Sequence, residues 1–199
     1  MARGDRGGPG RLCLGNRRAH RQGDGFVSKL ELIRGLYEYN EWANNHVLDA
    51  AAALTEDEFS RKQGASFESV EGNLAHIMGA QVIWLERWMG GSNRRPVLEF
   101  QKTRGLSTIR EAFAESHDRL RAFVSSLIDD RLDEILAYKD SAGRPHERVI
   151  WQLMAHVVNH GTHHRAETAM AMASLGKPMR ELDYVFFELE RGEGQGVRR

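Results

Sequence analysis

The chain has 199 residues, 41% of them hydrophobic and 28% charged, with 28 basic side chains balanced by 28 acidic ones. That length holds one substantial core and is too short for two ordinary domains, and the composition is that of a globular protein in water. A net charge of zero argues against a nucleic-acid or acidic-membrane partner.

The charge is unevenly placed. Residues 1–24 hold six arginines against two aspartates, a net of +4 that leaves −4 on the rest. This stretch is glycine-rich and poor in large apolar residues, so it cannot bury enough surface to offset the entropy of ordering it. Residues 1–25 therefore read as a disordered basic tail or a start-site extension. The single cysteine, Cys13, lies in it, so no disulfide forms within the chain, which fits a reducing compartment. No run approaches the roughly 18 to 20 apolar residues of a membrane helix, and the tail lacks the apolar segment of a secretory signal. A cytoplasmic location is the expectation.

One domain is expected over residues 26–191. A first helix runs from Ser28 to about Leu54, with Leu30, Ile33, Tyr37, Trp42, Val47 and Leu48 near the helical period. Ser28 and Glu31 form a capping-box pair at its start. Thr55-Glu56-Asp57-Glu58 is a fresh cap that opens a short turn of helix. A second long helix spans about Ser69 to Met89, with Val70, Leu74, Ile77, Ile83, Trp84 and Trp88 on its apolar face, and Gly90-Gly91 stops it. Residues 90–107 form a long connection. A third helix fits about Thr108 to Ile128. Between Leu132 and Arg148 the helical period fades, and Ile135–Tyr138, Asp140–Gly143 and Arg144–Val149 read as strand, turn and strand of a small hairpin. The last long helix runs from Arg148 to Leu175, ended by Gly176 with Pro178 following. Asp183–Glu190 reads as one more short helix, and residues 192–199 as a frayed end.

Four amphipathic helices of about 20 to 27 residues, each about 30 to 40 Å long, bury their stripes most simply as an all-α four-helix bundle. The 90–107 segment is long enough to be a crossover connection.

Nine histidines are present, and four of them, His156, His160, His163 and His164, fall within nine residues of the last helix. Side chains four apart on a helix sit about 40° apart in azimuth and roughly 6 Å apart along the axis, close enough to share an ion. His160 and His164 belong to the stripe Leu153, Val157, His160, His164, Thr168, Ala171 and Leu175, which is otherwise apolar or small. Two imidazoles there are expensive unless paired or coordinated. His76 shares a stripe of the second helix with Asn73, Ala80 and Ile83 and supplies a ligand from a facing helix, as bundle metal sites require. The spacing also permits pairs that use His156 or His163. His163 and Arg165 read as solvent-facing, His46 and His117 as helix-surface residues, and His146 as a loop residue. Asn40, Asn44, Asn73 and Trp42 fall where they can reach such a site, with packing or inter-helix hydrogen bonding the simpler role for each. Arg165 is placed to reach an anionic substrate or a dimer edge.

HVVNHGTHHRAE (156–167) resembles the last-helix motif of the DinB family of bacterial helical-bundle proteins. LYEYNEWANNHVLDAAAALTEDEF (36–59), NLAHIMGAQVIWLERW (73–88) and LGKPMRELDYVFF (175–187) resemble its first helix, its second helix and its C-terminal segment. The resemblance implies a four-helix bundle, often a homodimer, whose divalent metal is held by His76, His160 and His164. It implies a metal-dependent enzyme, either a transferase using a low-molecular-weight thiol or a hydrolase, acting on a small-molecule substrate. A non-catalytic, metal-stabilised binding or stress protein is the alternative. Three neutral imidazoles suit Zn, Ni or Fe and leave a position open, where a water's pKa can fall to near 7 and a thiol is deprotonated. The basic tail has no counterpart in that pattern.

Overall fold

The computed structural model describes residues 27–64, 66–91, 97–100 and 102–194. The expected tail over 1–25, with Cys13, lies outside the described residues, and so do residues 195–199 of the expected frayed end.

Helix α1 (Lys29–Ala51) opens on the capping box expected at Ser28 and Glu31, and α2 (Glu56–Ser60) opens on a second one at Thr55 and Glu58. In each, the cap hydroxyl accepts from the third backbone N–H while the glutamate accepts from the cap's own N–H, which satisfies two of the orphan donors of a helix start. Helix α3 (Val70–Trp88) is capped by Ser69, whose hydroxyl accepts from the Gly72 N–H. Four-residue helices α4 (Val97–Phe100) and α6 (Asp129–Leu132) flank α5 (Leu106–Ser126). The hairpin forms as the sequence indicates: β1 (Ile135–Lys139) pairs antiparallel with β2 (Pro145–Val149), Ile135 opposite Val149 and Lys139 opposite Pro145. Asp140 shapes its turn by accepting from the backbone N–H groups of Ala142 and Arg144, each at 2.9 Å. Helix α7 (Ile150–Ser174) ends at Gly176, whose φ of 75° allows the Lys177 N–H to return to the Met172 carbonyl at 3.0 Å. Helix α8 (Tyr184–Gly194) closes the described chain.

The four long helices form a bundle in which α7 and α5 each touch both α1 and α3. Consecutive helices α1 and α3 are thus diagonal, as are α5 and α7. Two apolar clusters fix the directions. One joins Ile33 and Tyr37 of α1, Leu85 and Trp88 of α3, Leu120 and Val124 of α5, and Leu153 and Met154 of α7. The other joins Val47 and Leu48, Val70 and Leu74, Ile109 and Phe113, and Ala171 and Met172. Helices α3 and α5 therefore run parallel, so the chain between them must return along the bundle, which is the expected crossover. It does so against α3: a Cβ on Gly79 would lie 2.5 Å from the Phe100 Cβ, and the Gly105 N–H donates to Glu71 Oε1 at 2.8 Å.

Among the described residues, no helix is long and apolar enough to cross a membrane. Between the two apolar clusters lies a layer of buried polar side chains: Asn40, Asn44, Gln81, Ser116, His117 and Arg165.

Candidate metal centre

Helices α3 and α7 are antiparallel neighbours, and their facing stripes bring three histidines together. His76, His160 and His164 present ring nitrogens that all lie within 4.8 Å of one another. The Nε2 atoms of His76 and His160 are 3.0 Å apart. The ring of His164 stands 4.6 Å, centre to centre, from that of His76 and 4.5 Å from that of His160. Two imidazoles bound tetrahedrally to an ion at about 2.0 to 2.1 Å place their nitrogens about 3.3 Å apart, so this cluster needs little adjustment to hold one.

The environment keeps the rings of His76 and His160 neutral. Burial, followed by the neighbouring imidazoles His160 and His164, pushes His76 down to about 3. Burial and then His164 push His160 down to about 4. Neutral rings expose the lone pairs that ligation needs. A direct contact between His76 and His160 uses one nitrogen of each, and the Nδ1 atoms of both are buried without a hydrogen-bond partner. The donor set therefore fits a divalent cation and is poorly served by hydrogen bonding alone.

Glu167 orients the third ring. Its Oε2 lies 3.0 Å from His164 Nδ1, and Ser66 donates to its Oε1 at 2.5 Å. Burial tends to raise the Glu167 carboxyl, but the hydrogen bonds from Ser66 and His164 outweigh it and hold the pKa below the ordinary value. An ionised carboxylate can only accept, so the proton of His164 sits on Nδ1 and Nε2 is free to face the cluster. Phe67 lies flat on His76 with ring centres 3.6 Å apart, which closes one side of the site.

His156 and His163 are exposed, and their rings stand 5.8 Å from His160 and 4.9 Å from His164. Trp42 packs elsewhere, its ring against Phe187 and its Nε1 donating to Glu190 at 2.8 Å. Asn73 is fully buried with no hydrogen-bond partner for its amide and holds none of the histidines.

The expected exposure of His117 and Arg165 and the expected loop position of His146 are overturned. His117 is buried, 4% exposed, with its Nε2 3.2 Å from the Asn44 amide nitrogen. Arg165 is buried, 2% exposed, its Nη1 donating to Asn40 Oδ1 at 2.8 Å and Asn44 Oδ1 at 2.9 Å. Asn40 and Asn44 in turn donate to Gln81 Oε1 at 2.5 and 2.8 Å. The inter-helix hydrogen-bonding role thus applies to both asparagines. His146 belongs to β2, its Nε2 3.0 Å from Asp140 Oδ2.

The model of the DinB family matches residues 27–195. Protein DinB of Bacillus subtilis (strain 168) is 23% identical over 155 residues, which is 75% of this chain and 89% of that protein.

Proposed function

The chain belongs to the DinB family, and on that premise we propose that it is a metal-dependent enzyme whose divalent ion is held by His76, His160 and His164. The observation that carries the reading is the convergence of three ring nitrogens, from two helices, within 4.8 Å of one another. The family resemblance read from the sequence names the same three residues.

An ion held by three neutral imidazoles keeps its full charge and supplies Lewis-acid chemistry, lowering the pKa of a water or thiol placed on it. The chain's own residues do the rest. Glu167 fixes the tautomer and angle of His164. Phe67 excludes water from one face of His76. This arrangement suits delivery of a low-molecular-weight thiol to a small electrophile, or hydrolysis, with Zn, Ni or Fe as the metal. The protein is proposed to act as a cytoplasmic homodimer.

Metal content of the purified protein, wild type against His76→Ala, tests the site. A stoichiometric metal in the wild type and its loss in the variant are expected; equal content in the two overturns the three-histidine centre. Turnover is then sought with low-molecular-weight thiols paired with electrophiles, and with ester and amide substrates, and is expected to vanish in His160→Ala. Metal binding without turnover in either screen reduces the reading to a metal-stabilised, non-catalytic protein.

A further inference from the structure

We infer that the guanidinium of Arg165 forms the wall of a second binding site, on the side of α7 away from the histidines, that takes the carboxylate of a small molecule. The inference is independent of the metal reading. Thr162, Ala166 and Ala169, which line this site, lie about half a turn around α7 from His160, His164 and Glu167.

Arg165 has no counter-charge among the described residues. The hydrogen-bond acceptors around the buried guanidinium are amide and hydroxyl oxygens, none of them a carboxylate. Nη1 donates to the amide oxygens of Asn40 and Asn44, and Nη2 donates to Thr162 Oγ1 at 3.0 Å. The Tyr39 ring lies 5.4 Å away. Nε is buried with no partner at all. Among the described residues no carboxylate forms an ion pair with Arg165. A charge taken out of water without an opposite charge is unfavourable by several kcal/mol, and arginine does not relieve this by losing its proton. The bundle nevertheless makes room for it: a Cβ on Gly161 would fall 2.7 Å from Nη1.

The place for a counter-charge is next to it. A cavity of about 300 Å³ lies between α7, Tyr39 of α1 and the segment 179–183, and its wall includes Arg165, Thr162 and Tyr39. Thr162, whose hydroxyl accepts from Nη2, and Tyr39, whose ring lies 5.4 Å from the guanidinium carbon, line the cavity together with Arg165. That volume is at the lower end for small-molecule sites. Its sides are apolar, from Ala166, Ala169, Met179 and Leu182. Its rim carries Glu181, Asp183 and an Arg180 that is already paired with Glu190. The rim acids disfavour an anion of charge two or more, whereas a monocarboxylate with a short apolar body meets the guanidinium and fills the sides. A planar carboxylate also matches the fork of an arginine better than a spherical ion does.

The test is a titration of the full-length protein with sodium acetate against sodium chloride of equal ionic strength, and against sodium phosphate. Melting temperature and the side-chain Nε–H resonance of Arg165 are followed, the resonance being assigned from Arg165→Lys. A saturable rise in melting temperature and a saturable shift of that resonance are expected with acetate only. Arg165→Met strips Asn40 and Asn44 of their donor and is a poor control for folding. Ala169→Leu narrows the cavity and removes none of the guanidinium's hydrogen bonds. It is expected to weaken the acetate response by about tenfold or more, equivalent to at least ~1.4 kcal/mol of binding free energy, with metal content unchanged. The inference is overturned by no saturable shift, by an equal response to chloride or phosphate, or by a response that Ala169→Leu leaves intact.

Discussion

Asn44 serves three partners at once: its amide nitrogen donates to Gln81 and to His117 Nε2, and its oxygen accepts from Arg165. That arrangement requires His117 Nε2 to be an acceptor, so the ring must be neutral. Burial, then the Arg121 charge, pushes His117 down to about 4. The sign follows from linkage. In the unfolded chain the ring takes its proton near the ordinary value of 6.5, while the folded protein resists until about 4. The stabilisation is fully present above pH 6.5 and is lost as pH falls towards 4, on the order of 3 kcal/mol in all. His117→Gln keeps an acceptor and removes the titration. Urea midpoints measured from pH 7 to pH 4 should therefore fall less steeply in this variant, although His76 and His160 still titrate in both proteins. Equal slopes would mean that His117 is not held neutral. The sequence carried a signal for this buried position. Ser116 and His117 fill the gap in the stripe Ile109, Phe113, Leu120 and Val124, and Arg165 completes the stripe Met154, Val158, Gly161, Thr168 and Met172. Charge made both look exposed, and only the facing asparagines of another helix show why they are not.

Where an element begins was legible when a side chain marks it. Ser28 with Glu31 and Thr55 with Glu58 are such marks, and both boxes form. Helix α5 starts from Gly105 with no side-chain cap, so its first turn is invisible to a search for cap residues, and it begins at Leu106 rather than near Thr108. Helices α4 and α6 have four residues each, barely one turn, which is too short for any period to declare itself. The crossover was inferable from length, but its seat on α3 was not, because it depends on a contact remote in sequence. That contact is at Gly79, where an added Cβ would lie 2.5 Å from Phe100 Cβ and 2.9 Å from its Cγ. Gly79→Ala gains intrinsic helix propensity, worth about 1 kcal/mol, yet must push α4 away from the bundle. Overpacking of this kind costs about 1–3 kcal/mol, so the net expectation is a loss of stability with an unchanged denaturant slope. A midpoint equal to or above that of the wild type would show that the crossover gives way freely.

At the scale of the molecule, the three histidines link two helices whose ligand positions are 84 residues apart in the chain. No such site persists when the bundle opens, so an ion bound there stabilises the fold by mass action. Free metal at 100 times its dissociation constant adds about 2.7 kcal/mol, which in a domain of this size raises the melting temperature by roughly 5 to 10 °C. The site also contains its own control. Burial holds His76 and His160 neutral whether or not an ion is present, and Glu167 keeps His164 turned, so the cage does not need the ion in order to assemble. Chelated wild-type protein should therefore remain folded and melt lower by that amount. His76→Ala should lose its response to added metal while retaining a cooperative transition. If chelation instead abolishes the transition, the ion is a condition of folding and the cage is not preformed. If wild type and variant respond alike to added metal, the stabilising ion sits elsewhere, and the set His163, His164 and Glu167 becomes the place to look.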